Sequence, residues 1–231
     1  MLHVSNVSVT YPDGTEVLRE VSFTLGRGEN VALIGANGAG KTSLLLSLSG
    51  LLGIQGGTVS ADGVTLGKKT LGDYRKRIGL VFQNPDDQLF MPSIFEDVAF
   101  GPRNLGVPED EIGRLVERTL ESLNIARLSE RSPLKLSGGE KRLCALATTL
   151  AMEPDYLLLD EPTAFLDPKA RHILAKLLKT LPQGKLIATH DLPFAKQTCT
   201  RVLLLNNGGI RDRGEPTSDT LEAIEQELTG N

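Results

Sequence analysis

Asn30-Val31-Ala32-Leu33-Ile34-Gly35-Ala36-Asn37-Gly38-Ala39-Gly40-Lys41-Thr42 is a nearly continuous apolar run that enters a glycine-rich turn. A run without polar alternation is what a strand covered on both faces requires, so residues 30–34 read as a central strand of a parallel sheet. Helical spacing takes over from Lys41 to about Leu51. Residues 35–42 fit G-x-x-x-x-G-K-[ST] in the strand–turn–helix setting in which that pattern cradles phosphates. Glycine lets the backbone turn tightly enough for successive N–H groups to converge on one anion. In such a loop Lys41 reaches the terminal phosphate oxygens and the Thr42 hydroxyl ligates Mg²⁺. Gly35, Ala36, Asn37, Gly38, Ala39, Gly40, Lys41 and Thr42 are therefore candidate nucleotide contacts.

Upstream, Leu2, Val4, Val7 and Val9 precede a Pro12-Asp13-Gly14 turn, followed by short apolar runs at 16–18 and 21–25. These predict antiparallel strands with one covered face. Ala61-Asp62-Gly63-Val64 predicts a hairpin turn, and Ile78 to Phe82 a second buried strand ending at Gln83. From Ser93 to about Ser132 the pattern is helical, with a capping-box spacing at Ser93-Ile94-Phe95-Glu96 and a helix opening at Pro108-Glu109-Asp110-Glu111. Strand and helix then alternate: a strand at 156–159, a helix at 169–179, and strands at 185–188 and 201–205. That rhythm implies an α/β fold with a mostly parallel sheet and right-handed crossovers. The expected architecture is one domain over 1–231. Residues 1–83 and 134–231 form the core with its N-terminal antiparallel β-subdomain, and 84–133 an inserted α-helical subdomain.

Tyr156-Leu157-Leu158-Leu159-Asp160-Glu161 places two acids at the carboxyl end of a buried strand, the edge at which open α/β sheets bind ligands. Asp160 is the candidate for orienting a Mg²⁺ shell, and Glu161 for taking a proton from an attacking water. Gln83 and His190 sit at the ends of two further predicted strands on the same edge, where they can sense a terminal phosphate and that water. Leu136-Ser137-Gly138-Gly139-Glu140 opens another helix, carried by Arg142, Leu143, Leu146 and Leu150. Ser137 and Glu140 have capping-box spacing, and the bare glycines leave N–H groups at the positive end of that helix.

Twenty-five Lys and Arg against 29 Asp and Glu give a net charge of −4, which argues against nucleic acid as the main partner. Aromatics make up 4% with no Trp, so aliphatic side chains must build the core. Two distant cysteines without metal-ligand spacing predict buried thiols in a reducing compartment. No basic-then-apolar leader opens the sequence, and no apolar run approaches the ~20 residues that span a bilayer.

The ordered set GANGAGKTS, Gln83, LSGGE, YLLLDEP, Asp167 and His190 resembles the nucleotide-binding subunit of ATP-binding cassette (ABC) transporters over nearly the whole chain. The resemblance implies an ATPase whose cofactors are ATP and Mg²⁺ and whose two subunits pack head to tail. It adds Ser43 to the phosphate contacts and Gln83 to the Mg²⁺ ligands, beside Thr42 and Asp160. It also implies that Tyr11 stacks on adenine, that Ser137, Gly138 and Gly139 contact the γ-phosphate of the neighbouring subunit's ATP, and that Asp167 makes a cross-dimer contact. Glu161 is then the general base, and His190 and Gln83 complete the catalytic set. Val81-Phe82-Gln83-Asn84-Pro85-Asp86-Asp87-Gln88-Leu89-Phe90 and Glu96-Asp97-Val98-Ala99-Phe100-Gly101-Pro102 are similar to the ATPases of energy-coupling-factor (ECF) importers. Glu140-Lys141-Arg142 is similar to their cobalt/nickel branch, with biotin or another vitamin as the alternative cargo. The implied partners are a second ATPase subunit, identical or not, and a transmembrane component met through residues 84–132. The implied location is the cytoplasmic face of the membrane. Phe165 departs from the family pattern, which has a small residue there. A chromosome- or repair-type ATPase of the same superfamily would need long heptad or zinc insertions, and a GTPase a guanine-reading Asn-Lys-x-Asp; neither is visible.

Overall fold

The computed structural model describes residues 1–229; the last two positions of the expected 1–231 domain lie outside the described residues. Its strands are β1 (Leu2–Thr10), β2 (Glu16–Leu25), β3 (Asn30–Ile34), β4 (Gly56–Ala61), β5 (Val64–Thr65), β6 (Ile78–Val81), β7 (Tyr156–Asp160), β8 (Gly184–Ala188), β9 (Arg201–Asn206) and β10 (Gly209–Gly214). The helices are α1 (Lys41–Leu48), α2 (Leu71–Arg75), α3 (Ile94–Asn104), α4 (Glu109–Ser122), α5 (Gly138–Leu150), α6 (Pro168–Thr180), α7 (Leu192–Thr198) and α8 (Ser218–Thr229).

Two sheets organise the molecule. The first is antiparallel, in the order β2-β1-β4-β5, and the second runs β10-β9-β3-β8-β7-β6. In the second, β9, β3, β8, β7 and β6 are parallel and β10 closes one edge antiparallel. All five residues of β3, β7 and β8 are buried, as mainly apolar strands between two covering layers must be. One apolar cluster, with Leu33, Leu44, Leu158 and Leu186, lies between the two sheets and α1. A second covers the opposite face and joins Val98, Val116 and Leu120 of α3 and α4 to Leu146 of α5 and Leu159 of β7. The helices inserted between β6 and β7 therefore share their core with α5 and the sheet. No helix among the described residues is long and apolar enough to cross a membrane.

Some elements differ in detail from the sequence-based expectation. The two runs at 16–18 and 21–25 are one strand, because Glu20 takes a left-handed φ of 47° in a bulge where the β1–β2 register shifts. Helix α1 stops at Leu48, short of Leu51: Ser49 is its C-cap and Gly50 turns the chain at φ 73°. Strand β6 ends at Val81, so Gln83 lies two residues beyond it. Ser93 caps α3 by accepting the Glu96 amide, but Glu96 reaches Arg103 at 2.5 Å instead of returning to the cap.

The strand register positions the site. Leu33 pairs with Ala188, Ala188 with Asp160, and Leu159 with Val81. The residues that follow these pairs, at 35, 189–190, 161 and 82–83, must emerge along one edge.

Candidate functional site

The glycine-rich turn between β3 and α1 is sterically tight. A Cβ at Gly35 would sit 2.6 Å from the Leu205 carbonyl oxygen, and Gly40 holds φ at 100°. Gly40 is also the N-cap of α1 and offers no side-chain bond, and the first turn carries no acid, so its amides remain open to an anion. Lys41 is buried, and its Nζ donates to the carbonyl oxygens of Gly35 and Ala36 at 2.8 and 3.2 Å. The ammonium is thus held within the loop it would complete.

At the end of β7 the Thr42 hydroxyl donates to Asp160 Oδ2 at 2.7 Å, tying α1 to the strand. Burial pushes the Asp160 carboxyl above the usual carboxylate range, opposed by that hydrogen bond. Thr42 and Asp160 supply hard oxygen atoms side by side, which suits Mg²⁺. Among the described residues no group of three or more His, Cys, Asp and Glu forms a metal cage. Magnesium in phosphate sites needs none, because it takes only one or two protein ligands and fills its shell from phosphate and water.

The Glu161 amide continues the sheet by donating to Ala188 at 2.9 Å, after which the chain kinks at φ 41°. A left-handed non-glycine residue is strained, and such strain concentrates where a side chain must be aimed. Here the kink directs a buried carboxylate into the cleft. Glu161 Oε1 lies 3.9 Å from Lys41 Nζ, and Oε2 lies 3.0 Å from His190 Nδ1. His190 is otherwise open to solvent, its side chain 69% exposed. Tyr11, just past β1, bonds its hydroxyl to the Ser43 hydroxyl at 2.6 Å and leaves its ring at the rim. These residues line one cleft of about 570 Å³ with Asn37, Gly38 and Gln83, a size within the range of small-ligand sites. Ala36 and Ala39 face an adjoining recess on the other side of the same turn.

Ser137, Gly138, Gly139 and Asp167 do not join that cleft. They line a second one of about 500 Å³ with Arg127, Phe165 and Lys169, and the two share no residue. The capping box at α5 is complete: Ser137 Oγ accepts the Glu140 amide, and Glu140 Oε2 accepts the Ser137 amide at 3.0 Å. That backbone bond, with Arg127 2.7 Å away, holds the Glu140 carboxyl down at about 2. Neither glycine is needed by this chain's own fold. Gly138 and Gly139 are not left-handed, and a Cβ on them would meet nothing closer than 3.9 and 3.4 Å. Their amides belong to a first helical turn, where no intrahelical acceptor exists. The first-turn amides of Gly138 and Gly139 thus lie under no side chain, beside the Glu140–Arg127 pair and with Lys169 on the cleft wall. Asp167 caps α6 by accepting the Ala170 amide at 2.8 Å.

Several side chains connect these parts. Arg142, buried one turn into α5, donates to the carbonyl oxygens of Phe82 and Gln83 at 2.7 and 2.5 Å. Gln88 accepts from the Phe82 amide and donates to Ala145 O and to the Thr148 and Thr149 hydroxyls. Lys141 meets Asp86 at 2.6 Å. The Gln83 segment is therefore fastened to α5 along its length. Arg171 of α6 pairs at 2.9 Å with Asp191, whose other oxygen caps α7 beside His190. The stretches 81–90 and 140–142 contain Asp86, Gln88, Lys141 and Arg142, but nothing in the sequence pairs them with one another, and nothing in it marks Arg171 or Asp191.

A family model described as ABC transporter matches residues 18–164. A putative ABC transporter ATP-binding protein of Geobacter sulfurreducens is 47% identical over 219 residues, covering 95% of this chain and 88% of the relative. The energy-coupling factor transporter ATP-binding protein EcfA of Methanothermobacter thermautotrophicus is 46% identical, covering 94% of this chain and 71% of the relative. Among solved structures, cbiO1 of Clostridium perfringens, part of the ABC transporter complex cbiONQ, superposes with a TM-score of 0.85 at 36% identity. That match covers 99% of this chain and 92% of the other.

Proposed function

The chain belongs to the ABC transporter family, as an ATPase subunit of the energy-coupling-factor type, and from that premise we propose how its two clefts divide the work and what the engine drives. ATP lies with its phosphates on the 35–43 loop and its adenine against the Tyr11 ring. A second subunit closes over it head to tail, so that its Ser137, Gly138 and Gly139 meet the γ-phosphate and its Asp167 meets the loop. The observation that carries this reading is the separation of the two clefts on one chain, with bare glycines on the half that has no phosphate loop.

Thr42 and Asp160 would hold Mg²⁺, with Gln83 at the cleft wall, and the bound ion would neutralise charge on the phosphate oxygens. Glu161 takes the proton of the attacking water. His190 steadies Oε2 of that carboxylate, so the acceptor is aimed before the water arrives. Lys41, the α1 amides and the partner's glycine amides stabilise the transferring group by fixed donors and position. Closure then requires two ATP molecules, and hydrolysis releases it. Residues 1–83 and 134–231 act as the nucleotide-binding core, and 84–133 as the arm that meets a transmembrane component at the cytoplasmic face of the membrane. The bonds from Arg142, Gln88 and Lys141 let movement of α5 carry the Gln83 segment with it.

The cargo of this reading is a cobalt or nickel ion. Its support is the Glu140-Lys141-Arg142 sequence and the likeness to cbiO1. Reconstitution of the chain with candidate ECF membrane partners in ATP-loaded vesicles tests it directly. Uptake of radioactive cobalt or nickel is the expected result, and uptake of biotin or another vitamin instead would overturn the metal assignment.

A further inference from the structure

Glu140 carries a charge that its structural task does not require. A capping box needs only an oxygen acceptor at the third helical position, and glutamine supplies one as well as glutamate does. In this chain the acceptor is Glu140 Oε2, which takes the Ser137 amide at 3.0 Å and the Ser137 hydroxyl at 2.9 Å. The other oxygen, Oε1, is held separately by Arg127 Nη2 at 2.7 Å. Arg127 comes from the one-turn 3₁₀ helix Ala126–Leu128, ahead of α5. One oxygen thus builds the helix start, and the other meets a guanidinium. The Ser137 amide and Arg127 hold the carboxyl at about 2, so it stays ionised at any pH near neutrality. As a stabilising ion pair the contact counts for little, because the Arg127 side chain is 62% exposed.

An ionised carboxylate in the first turn of α5 suits the helix dipole, but it repels any second anion brought to the same amides. On the two-subunit reading above, on which this inference rests, that second anion is the γ-phosphate of the neighbouring subunit's ATP. Asp167 adds another negative charge to the cleft, against Arg127 and Lys169. Arg142 also reaches the cleft wall, but its guanidinium is turned to the Phe82 and Gln83 carbonyl oxygens. Without Arg127, two carboxylates would face the incoming nucleotide against the single ammonium of Lys169. We propose that Arg127 is a positioning residue that neutralises Glu140, so that the α5 amides can receive a phosphate despite the carboxylate beside them. Loss of Arg127 then leaves an uncompensated negative charge at the glycine cleft. Loss of the Glu140 charge makes Arg127 dispensable, since a neutral amide still completes the capping box.

A double-mutant cycle between positions 127 and 140 tests this, with dimer affinity measured by sedimentation in Mg-ATP in the Glu161→Gln background. Arg127→Ala should weaken the ATP-bound dimer at least about tenfold at low salt, and by less at high salt, where the bare charge is screened. The monomer's ATP affinity should stay within about twofold, because the phosphate loop is untouched. Its melting temperature should stay within about 3 °C, as loss of an exposed ion pair allows. Adding Glu140→Gln to Arg127→Ala should bring the dimer back to within about threefold of Glu140→Gln alone. Arg127→Lys should keep the dimer, since the charge is what matters. In chains that retain Glu161, kcat for ATP should fall and recover in the same order. An Arg127→Ala dimer as tight as the parent's would overturn the proposal. So would a defect that Glu140→Gln does not relieve, which would place Arg127 on the nucleotide itself. Absence of any ATP-dependent dimer in Glu161→Gln alone would instead overturn the two-subunit reading beneath it.

Discussion

Glu161 shows how much a single side chain owes to its backbone. The Asp-Glu pair at the end of an apolar run was legible in the sequence. The left-handed kink that turns Glu161 into the cleft was not, because it follows from sheet pairing to Ala188 and not from a turn residue. Glu161→Gln keeps the shape and removes the proposed proton acceptor. Its ATP affinity should stay within about threefold of wild type, while turnover falls by about 10²–10⁴, the usual contribution of a positioned base. Steady-state hydrolysis and equilibrium binding on the same preparation check both halves. In the sequence Lys185 is no more than part of a strand, yet its side chain is fully buried, with Nζ donating to the Leu181 and Gln183 carbonyl oxygens. Burial pulls its ammonium down to about 8, below the ordinary 10.5. The unfolded chain therefore holds this proton between about pH 8 and 10.5 while the folded chain sheds it, so folding gains as pH rises through that window. Urea unfolding of wild type and Lys185→Met should show the difference shifting toward wild type from pH 8 to 10; a constant difference would contradict the assignment.

At the scale of elements, the sequence revealed the strand, turn and helix of the phosphate loop because each has a local cause: a buried apolar run, glycines, and a helical apolar period. Contacts between elements left no such trace. Arg142 clamps the Gln83 segment through two carbonyl oxygens that lie 59 and 60 residues earlier in the chain. The capping-box spacing at Ser93 proved half a box, because Arg103 captures Glu96. Removing the Arg142 fork by Arg142→Leu leaves two carbonyl groups without their donor and should cost about 3 kcal/mol in urea unfolding. Arg142→Lys should restore only part, since a point charge cannot replace two parallel donors. The Arg171–Asp191 pair joins α6, which begins at the glycine cleft, to the cap of the helix beside His190. Arg171→Ala should lower kcat for ATP several-fold with little change in KM, and Arg171→Lys should recover part of it. An effect confined to KM would place the pair in nucleotide binding instead.

For the whole molecule, the parallel register gathers Gln83, Asp160, Glu161 and His190 on one sheet edge with the phosphate loop, and leaves Ser137, Gly138, Gly139 and Asp167 on another cleft. On the proposed two-subunit reading, a monomer built this way carries two halves of a site and no whole one. The contrast among its glycines is the sharpest sign: Gly35 and Gly40 are required by the chain's own packing and backbone, whereas Gly138 tolerates a side chain in the isolated fold. Gly138→Trp therefore separates the two clefts experimentally, through ATP affinity of the monomer and ATP-dependent dimerisation in the Glu161→Gln background. The two-cleft account predicts monomer affinity within about twofold of the parent, together with loss of the dimer and, in the otherwise wild-type chain, of hydrolysis. Collapse of monomer ATP binding, or undiminished dimerisation and turnover, would contradict it.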